Sequence, residues 1–178
     1  MDIVNPLSGE RITIVAVDPS GAALDWELVL ASGGRVPSSH SHPRQEERFA
    51  VLEGRMRFRI GLGWFRGRSV LAGPGDVVVV PPGTTHHFAN PGPGPARVSV
   101  RTAPALGMRE LLETSAALAR EQHAAGRALP RLSSLVLFMR DFEAEVAAPV
   151  FPRVVRLAVR WLGLGVDRYR RVRRDARY

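Results

Sequence analysis

Two short stretches of the sequence contain the side chains best suited to binding a metal ion. In the first, His40 and His42 are separated by one residue, so on a β-strand both project from the same face and can reach one ion. Glu47 follows five residues later, beyond the turn-prone Pro43, where a returning strand can bring its carboxylate to that ion. In the second, His86 follows a valine run and a Pro-Pro-Gly turn. The chain has no cysteine, and imidazole and carboxylate are the ligands that a borderline divalent metal accepts without thiolate.

Short β-strands are the elements that must position these side chains. Gly and Pro turns separate six runs of β-type residues between residue 10 and about 102: RITIVAV, DWELVLA, ERFAVLEG, RMRFRIG, DVVVVPP and ARVSVRT. This punctuation is typical of an all-β barrel or sandwich. Strict alternation in RMRFRIG puts Met56, Phe58 and Ile60 on one face and the intervening arginines on the other, which predicts a solvated outer face.

Beyond the last predicted strand the sequence takes on a helical pattern. ALGMRELLETSAALAREQHAAG predicts a helix that ends at Gly126, and RLSSLVLFMRDFEAEVAA predicts a second that stops before Pro149. A third, PRVVRLAVRWLGLG, begins at Pro152 and runs into an arginine-rich end. No internal repeat is seen, which indicates a single barrel. We therefore expect a β-barrel domain at residues 1–103 and an α-helical C-terminal extension at residues 104–178.

Composition indicates a globular chain of one main domain. Its 178 residues are 45% hydrophobic and 24% charged, which is ordinary for a protein with its own core. No apolar run has the length of a signal peptide or a membrane span, so a cytoplasmic location is expected.

The net charge of +8 belongs to the C-terminal tail. All 25 basic residues are arginine, and residues 149–178 carry nine of them against two acidic residues, whereas the rest of the chain is almost neutral. The body is therefore not a nucleic-acid-binding surface. Since no base-reading element can be located, no specific nucleic acid partner is expected.

The tail itself has two open interpretations. Its predicted helix carries a basic stripe and an opposing apolar stripe, formed by Arg153, Arg156 and Arg160 and by Val154, Leu157, Ala158 and Trp161. Such a segment can make a weak contact with an anionic membrane surface. Amphipathicity is equally what a helix docked on its own protein requires.

The two ligand-bearing stretches resemble the two sequence motifs of the cupin family. The first motif is matched at every fixed position by Gly34, His40, His42, Glu47 and Gly54. The second is matched by Gly75, Pro81, Gly83, His86 and Asn90. The resemblance implies a small single-domain cupin, a double-stranded β-helix or jelly-roll barrel, with a helical extension. It also implies one divalent metal ion (Fe, Mn, Ni, Co or Zn) bound by His40, His42, Glu47 and His86, while the glycines, Pro81 and Asn90 shape turns.

Neighbouring side chains suggest a substrate-binding lining. Phe49 lies two residues beyond Glu47 and Phe88 two beyond His86, so both are expected inside the barrel near the metal, with Met56 and Phe58 extending the lining. All four could equally be plain core. By the same parity Glu46 and His87 point to the opposite face, and His123 lies in a predicted helix outside both motifs.

The leading functional hypothesis is a mononuclear non-haem oxygenase of the Fe(II) type. Four protein ligands leave two positions of a six-coordinate ion for a small, partly aromatic or apolar substrate that chelates the metal, and for dioxygen. Glu47 would be both ligand and catalytic base. The alternatives are a redox-inert Zn or Ni cyclase, isomerase or decarboxylase, for example of a polyketide-like substrate, and a non-catalytic small-molecule-binding cupin. Because cupins are commonly dimers, a homodimer is expected.

Overall fold

The computed structural model describes residues 2–36, 38–61, 67–127, 130–148 and 166–176. Within these residues, nine strands form two antiparallel sheets, of which one has the order β1-β2-β3-β9-β4-β7 and the other the order β6-β5-β8. Their bounds are β1 Asp2–Asn5, β2 Glu10–Val17, β3 Leu24–Leu30, β4 Glu46–Glu53, β5 Met56–Ile60, β6 Arg68–Ala72, β7 Val77–Val80, β8 His86–Ala89 and β9 Ala96–Ala103. The all-β prediction is confirmed.

The core lies between the two sheets, because every second residue of the central strands points inward. Leu28 on β3 and Val98 on β9 are fully buried from one sheet, and Phe58 on β5 is fully buried from the other. The alternation predicted for β5 is confirmed, since its three apolar residues are buried and the arginines between them are exposed. The strands thus form a barrel with a packed apolar interior and a basic outer face on β5.

Three strands fall outside the six predicted runs. These are β1, β6 and β8, each only four or five residues long. Strands β6 and β8 pair with opposite edges of β5, so that Phe58 lies between Val70 and Phe88. Such short segments owe their strand structure to neighbours distant in sequence, which local patterning does not reveal.

Turn residues of the two motifs have backbone conformations that explain their identity. Gly54 has φ +76°, and a Cβ atom there would lie 2.6 Å from the Pro95 carbonyl oxygen, so a larger residue is excluded. The Asn90 amide nitrogen donates to the carbonyl oxygens of Leu30, Ala31 and Gly94. Asn90 thereby joins the end of β3 to the turn before β9.

The described residues beyond the strands form three helices: α1 Met108–Ala124, α2 Leu132–Asp141 and α3 Val166–Asp175. The predicted helical extension is confirmed, but the prediction that the second helix reaches Ala148 is wrong. It ends at Asp141, turns follow, and Ala147 forms a β-bridge with Ser41. The bridge satisfies backbone groups that further helix would have used. The predicted helix from Pro152, with both of its stripes, lies outside the described residues.

The helix α3 docks on the other two helices. The Arg173 guanidinium donates to Glu110 on α1 at 2.8 Å and to Asp141 on α2 at 2.6 Å, and it lies 5.3 Å from the centroid of the Phe142 ring. Tyr169, one turn earlier, is buried. The described part of the arginine-rich end therefore packs against the protein's own helices. No helix among the described residues is long and apolar enough to cross a membrane.

Candidate metal centre

Backbone pairing brings the two motifs together. His86 begins β8 and Glu47 is the second residue of β4, while His40 and His42 lie in the segment that enters β4. The amide of His40 donates to the carbonyl of His86 at 3.0 Å, and the reverse bond is 2.7 Å. This isolated bridge places the first motif beside the second, so that their side chains share the end of the barrel interior.

Three of the four predicted ligands, His40, His42 and His86, form one cluster, and Glu47 adjoins two of them. Potential ligand nitrogens of His40, His42 and His86 all lie within 4.8 Å of one another. The Glu47 Oε2 atom lies 3.2 Å from His42 Nε2 and 3.1 Å from His86 Nε2. His42, Glu47 and His86 are buried, and His40 is half-buried. His40 is thus the most accessible of the four side chains.

Each of the three imidazoles is oriented by a backbone carbonyl. His40 Nδ1 lies 3.1 Å from the Ser38 carbonyl oxygen, and His86 Nδ1 lies 3.1 Å from that of Thr84. His42 Nδ1 lies 2.5 Å from the Glu145 carbonyl oxygen. A carbonyl oxygen only accepts, so each Nδ1 carries a proton and donates it. In the neutral ring Nε2 is then the unprotonated atom, which is the state that a metal ligand needs.

The contacts around Glu47 test whether a metal ion fits. The Thr102 hydroxyl donates to Glu47 Oε1 at 3.4 Å, and Trp26 Nε1 donates to that hydroxyl at 3.1 Å, so Oε2 is left facing the imidazoles. His42 Nε2 is buried and has no hydrogen-bond partner among the described residues, since its contact with Glu47 lacks hydrogen-bond geometry. Metal bonds of about 2.1 Å at right angles place neighbouring donors about 3.0 Å apart. The residues fit a divalent ion.

Electrostatics favour the metal-binding charge states of His40 and Glu47. Burial alone would lower the pKa of His42, but the adjacent Glu47 raises it, so a metal ion would displace a proton from that ring. Burial, reinforced by His86 and His42, lowers the pKa of His40 to about 3, so this ring is neutral. Burial alone would raise the pKa of Glu47, but the adjacent His42 and His86 outweigh it and hold that pKa well below its usual range. The cluster therefore offers an ionised carboxylate and a neutral imidazole, the forms that bind divalent metals.

The other candidate side chains lie outside this cluster. Glu46 is exposed on the outer face of β4. His87 is half-buried, and its Nδ1 lies 3.1 Å from the Ser39 hydroxyl. His123 is exposed on α1. Among the described residues, the structure thus separates these three from His40, His42 and His86.

Three of the predicted lining residues pack against one another, and one of them, Phe49, also packs against His86. The ring centroids of Phe49, Phe58 and Phe88 are 5.2 to 5.9 Å apart, and the Phe49 centroid is 6.2 Å from that of His86. Met56 is fully buried beside them. Phe49 thus presents an apolar surface to the His86 ring. A role in contacting substrate stays a prediction.

Sequence reasoning missed the groups that orient the ligands. Thr102 could have been found, because it is an inward-facing polar residue on β9 and pairs in register with Glu47 on β4. The Glu145 carbonyl could not, because a backbone acceptor leaves no side-chain signal. Both contacts are long-range in sequence.

Comparisons with known proteins agree with this architecture. The family model described as Cupin domain matches residues 26–101. No curated protein matches the chain in sequence. Solved structures with a similar fold include CapF bound to an inhibitor (18% identity, TM-score 0.51, covering 58% of this chain and 30% of CapF). Another is an oxalate oxidase with glycolate (25% identity, TM-score 0.46, covering 54% of this chain and 51% of the oxidase). A third is an RmlC-like cupin from Shewanella frigidimarina (18% identity, TM-score 0.49, covering 57% of this chain and 82% of that cupin).

These similarities concern the barrel and not the whole chain. The chain spans about half the length of the oxalate oxidase, and the aligned part accounts for 54% of its own residues. The matched family segment contains both motifs and all four predicted ligands, and it ends within β9, before the helical extension. Residues 26–101 match the Cupin domain family model, so the barrel part of the chain is similar to a cupin domain.

Proposed function

We propose that this cupin is a metal-dependent enzyme that holds one divalent ion between His40, His42, Glu47 and His86. The observation that carries the proposal is the common orientation of the three imidazoles. Each donates Nδ1–H to a carbonyl, so its Nε2 is the atom available to a metal, and the Nε2 atom of His86 contacts Glu47 Oε2 at 3.1 Å. A core that needed only packing would not require three buried or half-buried rings fixed in this way.

The reaction that we infer is oxygenation of a small, partly aromatic or apolar substrate. The bound ion would supply Lewis acidity and, as Fe(II), redox chemistry with dioxygen. Three neutral imidazoles and one carboxylate cancel only half of a divalent charge, so the site favours a substrate with an anionic oxygen. Four protein donors leave two of six positions open. The half-buried side at His40 is the accessible one.

Glu47 is proposed to act as the base as well as a ligand. Its Oε2 faces the cluster, while Oε1 accepts the hydrogen bond from Thr102. Oε2 would therefore be both the metal-binding atom and the proton acceptor, so Glu47 would take a proton from substrate only when its carboxylate leaves the metal. Phe49 packs against His86, and an apolar neighbour of this kind would strengthen the electrostatic interactions at the site.

Nitric oxide binding tests the oxygenase proposal. Anaerobic protein loaded with Fe(II) is expected to give a high-spin iron-nitrosyl signal by electron paramagnetic resonance, because two coordination positions are open to exogenous ligands. A chelating substrate analogue should perturb the signal. Zn(II)-loaded protein is the control and should give none.

A fully loaded Fe(II) protein that stays silent toward nitric oxide would contradict oxygenation. The redox-inert Zn(II) or Ni(II) cyclase, isomerase or decarboxylase would then lead, and its turnover would proceed equally well under nitrogen. Metal binding without turnover of any tested substrate class would leave a small-molecule-binding cupin.

A further inference from the structure

The segment that follows α2, up to Ala148, lies beside the backbone that carries His40 and His42. We call residues 142–148 the strap. The amide of Ser41 donates to the carbonyl of Ala147 at 2.8 Å, and the amide of Ala147 donates back to Ser41 at 2.8 Å. Ser41 is the residue between His40 and His42. The strap is thus paired with the backbone that presents two of the proposed ligands.

Within the strap, Glu145 contacts the metal centre through its backbone. Its carbonyl oxygen accepts the Nδ1–H of His42 at 2.5 Å, and this bond is buried. The Glu145 side chain points the other way and accepts the amide of Gly107 at 3.0 Å, at the start of α1. A Cβ atom at position 107 would lie 2.9 Å from that carboxylate oxygen, so a glycine there permits the close approach. Glu145 is therefore fixed at both ends.

The other end of the strap is anchored in the helical extension. Phe142 is buried, and its ring lies 5.1 Å from that of Phe138 on α2. On its other side the Arg173 guanidinium of α3 stacks on the Phe142 ring while bonding to Asp141 and Glu110. The docked helices thus hold the strap, and the strap contacts His42.

We propose that the strap is a positioning element of the metal centre, so that the C-terminal extension completes a site whose ligands all belong to the cupin barrel. The inference rests on the proposed metal site. An imidazole rotates freely about its Cβ–Cγ bond unless its second nitrogen is held, and the Glu145 carbonyl is the group that holds His42. Loss of such a partner typically weakens metal binding by roughly 10–100-fold.

Variants of Glu145 test the proposal by metal affinity. Glu145→Ala removes the anchor to Gly107 and should weaken Zn(II) or Co(II) binding by roughly 10–100-fold in competition with a chelator. Glu145→Gln keeps an oxygen acceptor for the Gly107 amide and should restore most of the affinity. Glu143→Ala is the matched control, since Glu143 is an exposed glutamate of the same strap. The visible spectrum of the Co(II) protein should change only in Glu145→Ala.

A measurement on the unaltered protein covers the case in which Glu145→Ala does not fold. In the nitrogen-labelled Zn(II) protein, the Nδ1–H proton of His42 should give a sharp resonance protected from exchange with water, as a buried bond requires.

The outcomes separate this inference from the proposed function. A wild-type protein that binds no divalent metal would overturn the metal site. A wild-type protein that binds metal, while folded Glu145→Ala keeps the same affinity and Co(II) spectrum, would overturn the strap alone. A His42 proton that exchanges as fast as that of an exposed imidazole would do the same.

Discussion

His86→Ala is expected to abolish stoichiometric metal binding while leaving the barrel folded. His86 supplies the only ligand from the second motif, and its Nε2 lies 3.1 Å from Glu47 Oε2 in the cluster. Its loss should therefore weaken affinity by more than the roughly 100-fold that marks the upper range for a group behind the ligands. The pairing with His40 uses only backbone atoms, which alanine retains. Elemental analysis and chelator competition measure the change against a wild-type value near one ion per chain.

His87→Ala is the control for that experiment. His87 is the same residue type in the next position, but it faces the Ser39 hydroxyl instead of the cluster. This variant should keep the wild-type metal content and melting temperature. Full occupancy in His86→Ala, or equal loss in both variants, would show that the four-ligand assignment is wrong.

The sequence could predict the side chains of the ligand cluster, because residues two positions apart on a β-strand point to the same face. His40 and His42 share a face through their two-residue separation, and the same parity separates buried Glu47 from exposed Glu46. The motifs could be aligned with each other only through the family resemblance, because the bridge between His40 and His86 joins residues far apart in the chain. The local alternation of residues therefore predicts which face of a strand each side chain occupies. The family resemblance predicts that the side chains of the two motifs meet at one site.

What the sequence could not give is the part that depends on backbone contacts between distant segments. The segment from Phe142 to Ala148 has apolar residues at helical spacing, yet it leaves the helix because Ala147 pairs with Ser41. The bond from His42 to the Glu145 carbonyl spans 103 positions. Neither contact depends on a particular residue type. The sequence offers only helix propensity for this segment, and that propensity wrongly predicts that the helix continues to Ala148.

The buried aromatic residues show a different limit of predictions based on the alternation of side chains along a strand. Alternation correctly turns Phe49, Phe58 and Phe88 inward, but an inward side chain can either line an open cavity or fill a closed core. The structure packs the three rings in mutual contact. Their energetic contribution distinguishes the two roles, since a ring in a closed core loses all its contacts on truncation.

Phe58→Ala is accordingly expected to destabilise the protein by about 3–5 kcal/mol, the usual cost of truncating a buried phenylalanine. Phe58 is fully buried and contacts Phe49 and Phe88. Its strand, β5, is the central strand of the smaller sheet. Phe58 is the sharper choice, because Phe49 also packs against His86 and its removal would disturb the ligands directly. Urea unfolding of the metal-free protein, followed by circular dichroism, measures the loss.

Arg57→Ala provides the comparison on the same strand. Arg57 is the neighbouring residue on the exposed face of β5, so its truncation should leave the midpoint of unfolding unchanged within error. A loss below about 1 kcal/mol for Phe58→Ala would contradict a closed core, because a ring that borders an open, hydrated pocket has fewer partner atoms to lose. Improved binding of bulky apolar ligands to that variant would then assign Phe58 to a substrate lining. A large loss without any change in ligand binding assigns it to the core that supports the metal centre.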